Sequence, residues 1–216
     1  PERRDKLLKV LKYVEDKFKE SQRTIIFVNS KNSARDLYQF LMTNGFKGRT
    51  NSLHGDISQN ERERGLHNMR KDPKSIMVAT DVAARGIHIE DLVCVINLEM
   101  PTNILTYVHR IGRTGRAGKE GLSYSFISTA NTAIIPDLID CIQDAGQTPH
   151  EKLHVYAKFD RVAPAQDGEE LLGSTKPVNR VTEAWERNDH RTSAGMSQPT
   201  RHQGKGKGKG KGKGKG

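Results

Sequence analysis

Residues 109–118 read HRIGRTGRAG, three consecutive Arg-x-Gly triplets that follow directly on a histidine. A guanidinium offers forked N–H donors that match the oxygens of a phosphate two at a time. Glycine lets the backbone come close to whatever those arginines hold. The stretch lies between a helical pattern and an alternating, strand-like pattern, which argues against a solvated basic loop. A polyphosphate is the natural target of such a surface.

On both sides of this stretch, short apolar runs alternate with amphipathic helical patterns. Runs typical of buried strands lie at 24–28, 75–80 and 92–97, an alternating strand pattern lies at 121–128, and a weaker strand pattern lies at 50–54. Helical spacing of apolar residues lies at 7–18, 34–42, 58–69, 104–108 and 134–145. This alternation predicts a parallel sheet with right-handed crossovers, helices on both faces, and ligands at the carboxyl ends of the strands.

Several helix boundaries can be predicted from single residues. Ser30 and Thr102 are expected to cap the helices that follow them, and Ser58 with Glu61 forms a capping box. Pro136 is tolerated only in the first turn of its helix.

Four segments, in order and at normal separations, resemble motifs of the second RecA-like domain of DEAD-box RNA helicases. HRIGRTGR is similar to motif VI, and the others are TIIFVNS at 24–30 (motif IV), LHGD with QNER at 53–62 (motif IVa) and VATDVAARGIHI at 78–89 (motif V). The resemblance covers about residues 5–156. It implies a three-layer RecA-like α/β domain whose mainly parallel sheet is covered by helices on both faces.

On this basis we expect three regions in the chain. They are a helicase C-terminal RecA-like domain at 1–157, a polar disordered segment at 158–203, and a low-complexity basic Gly-Lys tail at 204–216. The tail region 201–216 contains one arginine and six lysines and no acidic residue. Glycine prevents folding there and lysine releases counterions from a polyanion, so the tail is either a sequence-blind RNA or DNA binder or a solubilising end.

The motif VI resemblance assigns roles to four residues. Arg113 and Arg116 correspond to the arginine fingers that reach the γ-phosphate of ATP held by the other RecA-like domain. His109 and Arg110 correspond to contacts between the two domains, which couple ATP state to RNA state. The basic-loop alternative is weak because the triplets lie between a helix and a strand rather than in a tail.

The motif V resemblance places RNA and nucleotide contacts side by side. It implies that Thr80 and Asp81 bind RNA, Thr80 through a phosphate, and that Gly86 allows close approach on the nucleotide side. Taken alone, Thr80-Asp81 would be a helix cap. Where the family usually has an aspartate that contacts the ATP ribose, this chain has His88, so we expect a weakened or altered nucleotide contact there.

The motif IVa resemblance implies that Gly55, Gln59 and Arg62 hold RNA phosphates, together with the free amides of the helix that begins there. The alternative is a capping box with a surface arginine beside it, and both can be true.

The chain has no phosphate-cradling loop of its own. Such a loop needs Gly-Lys followed by Ser or Thr, whereas Gly118-Lys119 precedes Glu120. No acidic run and no His or Cys spacing predicts a metal site. The resemblance therefore implies that ATP is the cofactor, that the missing N-terminal P-loop domain holds its Mg²⁺, and that this chain alone is inactive.

Composition adds a partner class and a compartment. A formal net charge of +10 over 216 residues suits a polyanionic partner such as RNA bound through its backbone. Cys94 and Cys141 lie in apolar patterns typical of core thiols in a reducing compartment. No signal peptide or membrane-spanning run is visible. These features predict a monomeric intracellular protein, nuclear or cytoplasmic, without a membrane partner.

Two functions follow, with a third less favoured. The first is the C-terminal half of an ATP-dependent RNA helicase, supplying arginine fingers and half of an RNA groove. The second is a stand-alone, non-catalytic module that binds RNA or regulates another helicase. The third, half of a DNA helicase of the same superfamily, fits motifs V and VI less well.

Overall fold

The computed structural model describes residues 2–84, 89, 92–115, 118–158 and 170–174. Strands and helices alternate along them as the sequence predicts. In chain order they are α1 (Glu2–Lys17), β1 (Thr24–Phe27), α2 (Lys31–Thr43), β2 (Thr50–Leu53), α3 (Gln59–Lys71), β3 (Ile76–Ala79), α4 (Asp81–Ala84), β4 (Cys94–Asn97), α5 (Ile104–Ile111), β5 (Leu122–Ile127), a 3₁₀ helix (Thr129–Ile134), α6 (Ile135–Asp144), α7 (Glu151–Tyr156) and β6 (Glu170–Ser174).

The sheet has the strand order β2-β3-β1-β4-β5-β6. Its first five strands run parallel, and β6 pairs antiparallel with β5. In the register of the three pairings that join these four strands, Leu53, Ala79, Phe27 and Asn97 lie side by side. The carboxyl ends of β2, β3, β1 and β4 therefore meet along one border, called the carboxyl edge below.

Helices cover both faces of the sheet. Successive strand residues point to opposite faces, so alternate residues of one strand pack against different helices. One buried cluster joins α1 and α2 to alternate residues of the central strands, Ile26, Val78 and Ile96. A second joins α3 and α4 to their neighbours Ile25, Met77 and Val95. A third packs α5, α6 and α7 around Ile127. This arrangement confirms the three-layer α/β fold with a mainly parallel sheet.

Two of the predicted helix starts are confirmed by their hydrogen bonds. Ser30 Oγ accepts from Ser33 N at 3.0 Å at the start of α2. At the start of α3, Ser58 Oγ accepts from Glu61 N at 3.2 Å, and the Glu61 carboxylate accepts from Ser58 N at 2.9 Å. The free amides at these helix starts are thereby partly satisfied.

The predicted cap of α5 is wrong by one residue. Asn103, not Thr102, is the N-cap, and its side-chain oxygen accepts from Thr106 N at 2.9 Å. The helix begins at Ile104, so only the residue at 103 lies within reach of the amide three positions on.

The strand β6 differs from the expectation for its part of the chain. Residues 158–203 were predicted to be disordered, yet Glu170–Ser174 pairs with β5 from Ser123 to Ile127. Without it, β5 would leave a row of unpaired N–H and C=O groups at the sheet edge, and pairing supplies their partners. The rest of this segment and the Gly-Lys tail lie outside the described residues.

No helix within the described ranges has the length and apolar character needed to cross a membrane.

Candidate functional site

The carboxyl edge gathers most of the residues singled out by the sequence. Gly55 follows β2, Thr80 and Asp81 follow β3, and Asn29 follows β1. Thr80 N donates to Leu53 O at 3.1 Å, which joins the ends of β2 and β3 directly. Carboxyl ends of parallel strands are where ligands bind in such sheets.

Arg110 forms the centre of a buried polar network at this edge. The side chain is 2% exposed. Its Nε and one terminal nitrogen donate to the two oxygens of Asp81 at 2.6 and 2.7 Å. The same terminal nitrogen donates to Asn29 Oδ1 at 2.9 Å, and the other donates to Glu99 O at 2.7 Å and Asn97 Oδ1 at 3.3 Å. All five N–H donors of the guanidinium thus have acceptors within this domain.

The network costs desolvation energy, which its geometry offsets. A buried ion pair stabilises a fold only when its geometry is good and its remaining donors are satisfied, and both conditions hold here. The Arg110 guanidinium also lies 5.0 Å from the centre of the Phe27 ring, where a cation is attracted to the face of the ring. Arg110 and Asp81 therefore join the motif V-like and motif VI-like segments rigidly.

Two members of the network, Asn97 and Glu99, were not singled out in the sequence. Asn97 ends an otherwise apolar strand, is fully buried, and donates to Ser125 Oγ at 3.1 Å. Asn29 Nδ2 donates to Met100 O at 2.8 Å, and Asn29 N donates to a Glu99 carboxylate oxygen at 2.6 Å. A polar residue at the last position of a buried strand was the one available signal, at Asn97.

A recess of about 80 Å³ opens beside this network, and Arg113 and His109 belong to its wall. The other lining residues are Phe27, Asp81, Ala84, Thr106 and Arg110. Arg113 is partly exposed and His109 is exposed, unlike Arg110. The structure thus brings together four of the predicted residues, Asp81, His109, Arg110 and Arg113, around one small polar recess.

The loop that carries Arg113 is anchored behind it. Thr114 is buried, and its hydroxyl donates to Leu92 O. Gly115 has a φ of +68°, a conformation that favours glycine. A side chain at Gly121 would lie 2.5 Å from the Gly115 nitrogen, so glycine at 121 lets the β5 strand approach this loop.

A second group of predicted residues lies around the start of α3. Gly55 and Gln59 are exposed and Arg62 is partly exposed, while Thr80 is buried at the neighbouring strand end. Gln59 Nε2 donates to Glu63 Oε1 at 2.8 Å along the helix. Three other residues with predicted roles lie outside the described residues, namely Gly86, His88 and Arg116.

The two cysteines have no reactive character. Cys94 and Cys141 are buried free thiols, which confirms their place in the core. Burial raises the pKa of both thiols, that of Cys141 to about 12, so they stay protonated at neutral pH.

The described residues fit part of a nucleotide site rather than a whole one. An arginine and a histidine beside a polar recess suit a phosphate group. The recess is smaller than the roughly 300 Å³ or more of pockets that enclose a whole ligand. Among the described residues, no group of three or more His, Cys, Asp or Glu side chains could hold a metal ion.

Comparison with known proteins identifies the domain. Residues 2–118 match the family described as the helicase conserved C-terminal domain. The chain belongs to this family. The ATP-dependent RNA helicase DBP2 of Chaetomium thermophilum is 40% identical over 158 residues, 73% of this chain and 28% of that relative. The chain thus spans little more than a quarter of the length of that curated relative.

Solved structures similar to this chain indicate which type of helicase C-terminal domain it is. The RNA helicase Prp28 from Chaetomium thermophilum bound to ADP is 36% identical with a TM-score of 0.62, over 70% of this chain and 36% of that one. Domain 2 of the DEAD-box helicase Mss116p, bound to an RNA duplex, is 27% identical with a TM-score of 0.54, over 72% and 64% of the two chains. This helicase C-terminal domain is thus of the DEAD-box type, with a RecA-like fold.

Proposed function

We propose that this domain is the C-terminal half of an ATP-dependent RNA helicase core. The observation that carries the proposal is the recess at the carboxyl edge, where Arg113 and His109 lie beside Asp81 and the buried Arg110. The site fits one end of a polyphosphate, so it works only against a second domain that supplies a phosphate-cradling loop and holds Mg²⁺. ATP bound there provides the free energy for RNA remodelling.

Arg113 and Arg116 act as arginine fingers in this proposal. Their guanidinium groups neutralise charge on the transferring phosphoryl group, an effect typically worth about 10³–10⁵ in rate. Arg113 is held in place because the next residue, Thr114, is anchored to Leu92 O and the preceding turn is anchored by Arg110. Gly86 and His88 complete the nucleotide side, with His88 giving a weaker ribose contact than aspartate.

Coupling between the two domains passes through His109 and Arg110 in different ways. His109 is exposed and can contact the partner domain directly. Arg110 has all its donors engaged within this domain, so it couples by positioning its neighbours. Asp81 has the same character, since its carboxylate holds Arg110 and thereby orients Thr80 towards RNA.

Gly55, Gln59, Arg62 and Thr80 form half of an RNA phosphate groove. Amides at the start of α3 and the hydroxyl of Thr80 are donors suited to phosphate oxygens. Contacts of this kind read the backbone and its 2′-hydroxyls and therefore carry no sequence preference. Mss116p domain 2 bound to an RNA duplex supports an RNA-binding role for this part of the core.

The test is an Arg113→Ala substitution in a two-domain protein in which a DEAD-box P-loop domain precedes this chain. We expect RNA-stimulated ATP hydrolysis to fall by about 10³-fold or more, because the γ-phosphate charge loses its partner. RNA affinity should stay within about twofold of the unsubstituted protein. The matched control is Arg64→Ala, which removes an exposed arginine of α3 that does not line the recess.

The second candidate is a stand-alone RNA-binding or helicase-regulating module, favoured by His88 at the position where an aspartate is usual. If Arg113→Ala left ATP turnover unchanged and weakened RNA binding instead, the finger role would be wrong and this second function would hold.

A further inference from the structure

The turn between β2 and α3 carries an acidic residue where the proposed groove needs positive potential. Asp56 follows Gly55 directly and precedes the capping box that opens α3. Its side chain is 34% exposed. A carboxylate beside a phosphate site is unfavourable unless something neutralises it, so its presence calls for a physical reason.

Two cations from the first turns of α2 hold this carboxylate. Lys31 Nζ lies 3.1 and 3.2 Å from its two oxygens, and Arg35 donates to Oδ2 at 2.6 Å. The hydrogen bond from Lys31 and the charges of both cations hold the pKa of Asp56 below its usual value. At neutral pH the turn is therefore tethered across to α2 by a charged clamp.

The backbone of the same turn is fixed from the other side. Asp56 N donates to Nδ1 of His54 at 3.3 Å, and Ile57 N donates to the His54 carbonyl at 3.3 Å. His54 is buried, and burial together with the nearby Arg35 lowers its pKa, which favours the neutral imidazole, whose unprotonated nitrogen can accept from Asp56 N. The turn is thus held at Asp56 through both its side chain and its amide.

We propose that Asp56, clamped by Lys31 and Arg35, is a positioning residue that fixes the Gly55 turn and the start of α3 for an RNA phosphate. This inference rests on the proposed RNA groove and adds to it. Gly55 and the first amides of α3 can bind a phosphate only in one relative arrangement, and the clamp connects that arrangement to α2. Lys31, Arg35 and Asp56 themselves act through the turn.

Electrostatics and positioning predict opposite signs for the loss of Asp56. Removing a negative charge from a polyanion site strengthens binding if charge alone matters, and it also frees Lys31 and Arg35 to attract RNA. If Asp56 positions the turn, its loss weakens binding in spite of the gain in net positive charge. The direction of the change in affinity therefore separates the two roles.

The experiment is a titration of the full ¹⁵N-labelled chain with a short blunt-ended RNA duplex at fixed ionic strength. The dissociation constant is taken from the NMR shift of the Gly55 amide, because RNA bound elsewhere by the basic tail does not report there. We expect Asp56→Ala to weaken binding at Gly55 by about threefold, while Asp56→Glu, which keeps the charge and the reach, stays within about twofold.

The matched control is Asp36→Ala, which removes an exposed carboxylate from α2. It should leave the affinity at Gly55 unchanged or slightly raise it. Equal or tighter binding by Asp56→Ala would overturn the proposal, and so would an equal weakening by Asp36→Ala. If Asp56→Ala does not fold, Asp56→Asn is held to the same criteria.

Failure of the RNA groove itself gives a separate result. If the Gly55 amide of the unsubstituted chain does not shift with RNA, the groove is elsewhere and the inference falls with it. If that amide shifts and Asp56→Ala binds as tightly as the unsubstituted chain, the groove stands and only the positioning role is lost.

Discussion

Two clusters of opposite charges lie along the same sheet edge, and they differ in burial. Arg110 is 2% exposed and each of its donors is matched, although the side chain of its partner Asp81 is 30% exposed. In the Lys31–Arg35–Asp56 clamp, both cations are more than half exposed. Similar residue pairs thus hold the fold together where water is excluded from the cation, and they position a surface turn where it is not.

The physical reason is the medium around each pair. In the interior, charges interact strongly and an unpaired charge is expensive, so a matched pair becomes indispensable once it exists. At the surface, water and salt screen the attraction, and an exposed ion pair contributes about 0–1 kcal/mol.

Asp81→Ala should produce the largest loss of stability. It leaves a buried guanidinium without the carboxylate that accepts two of its five hydrogen bonds, a situation that typically costs about 3–5 kcal/mol. The measurement is urea unfolding of the chain followed by circular dichroism. A loss below about 1 kcal/mol would show that the pair behaves as a surface bridge despite its burial.

Asp56→Ala should cost far less. We expect the free energy of unfolding to fall by less than about 1 kcal/mol, because Lys31 and Arg35 stay solvated when their partner is removed. The difference from the unsubstituted chain should shrink further at about 1 M salt, where screening acts over a few ångströms. A salt-independent loss of several kcal/mol would show that the clamp stabilises the fold as strongly as the contacts of buried Arg110 do.

His54 should give the smallest effect, a dependence of stability on pH. Burial lowers its folded-state pKa below the usual value of 6.5, so the unfolded chain binds the proton more readily. Its contribution to stability is complete above pH 6.5 and is lost as the pH falls through the lowered folded-state pKa.

A His54→Gln variant should therefore lose less stability than the unsubstituted chain between pH 7 and about pH 5. If the unfolding free energies of the two proteins changed equally with pH across that range, His54 would not be the source of the pH dependence.

The sequence was enough for the elements and for much of the edge. Strand and helix alternation, the Ser30 cap and the Ser58 capping box follow from local chemistry, and the motif residues Asp81, His109, Arg110 and Arg113 do converge. The hydrogen bonds of Arg110 could not be predicted from the sequence, because its side-chain acceptors come from three separate strand ends.

Other contacts could not be predicted from the sequence because they join residues that are far apart along the chain. Asn29 bonds Arg110 across 81 positions, and no local pattern indicates that pairing. The strand β6 depends on an open edge of β5, which exists only once the sheet has formed. The shift of the α5 cap from Thr102 to Asn103 is a smaller matter, since two adjacent residues can both cap and the turn geometry decides.

We propose that Arg113 acts in the site at this edge, whereas Arg110, three positions away, holds the edge itself together. The most direct test compares the unfolding free energies of Arg110→Ala and Arg113→Ala in the same chain. We expect a loss of about 3 kcal/mol or more for Arg110→Ala and less than about 1 kcal/mol for Arg113→Ala. Equal losses for the two variants would contradict it, because both arginines would then be holding the fold together.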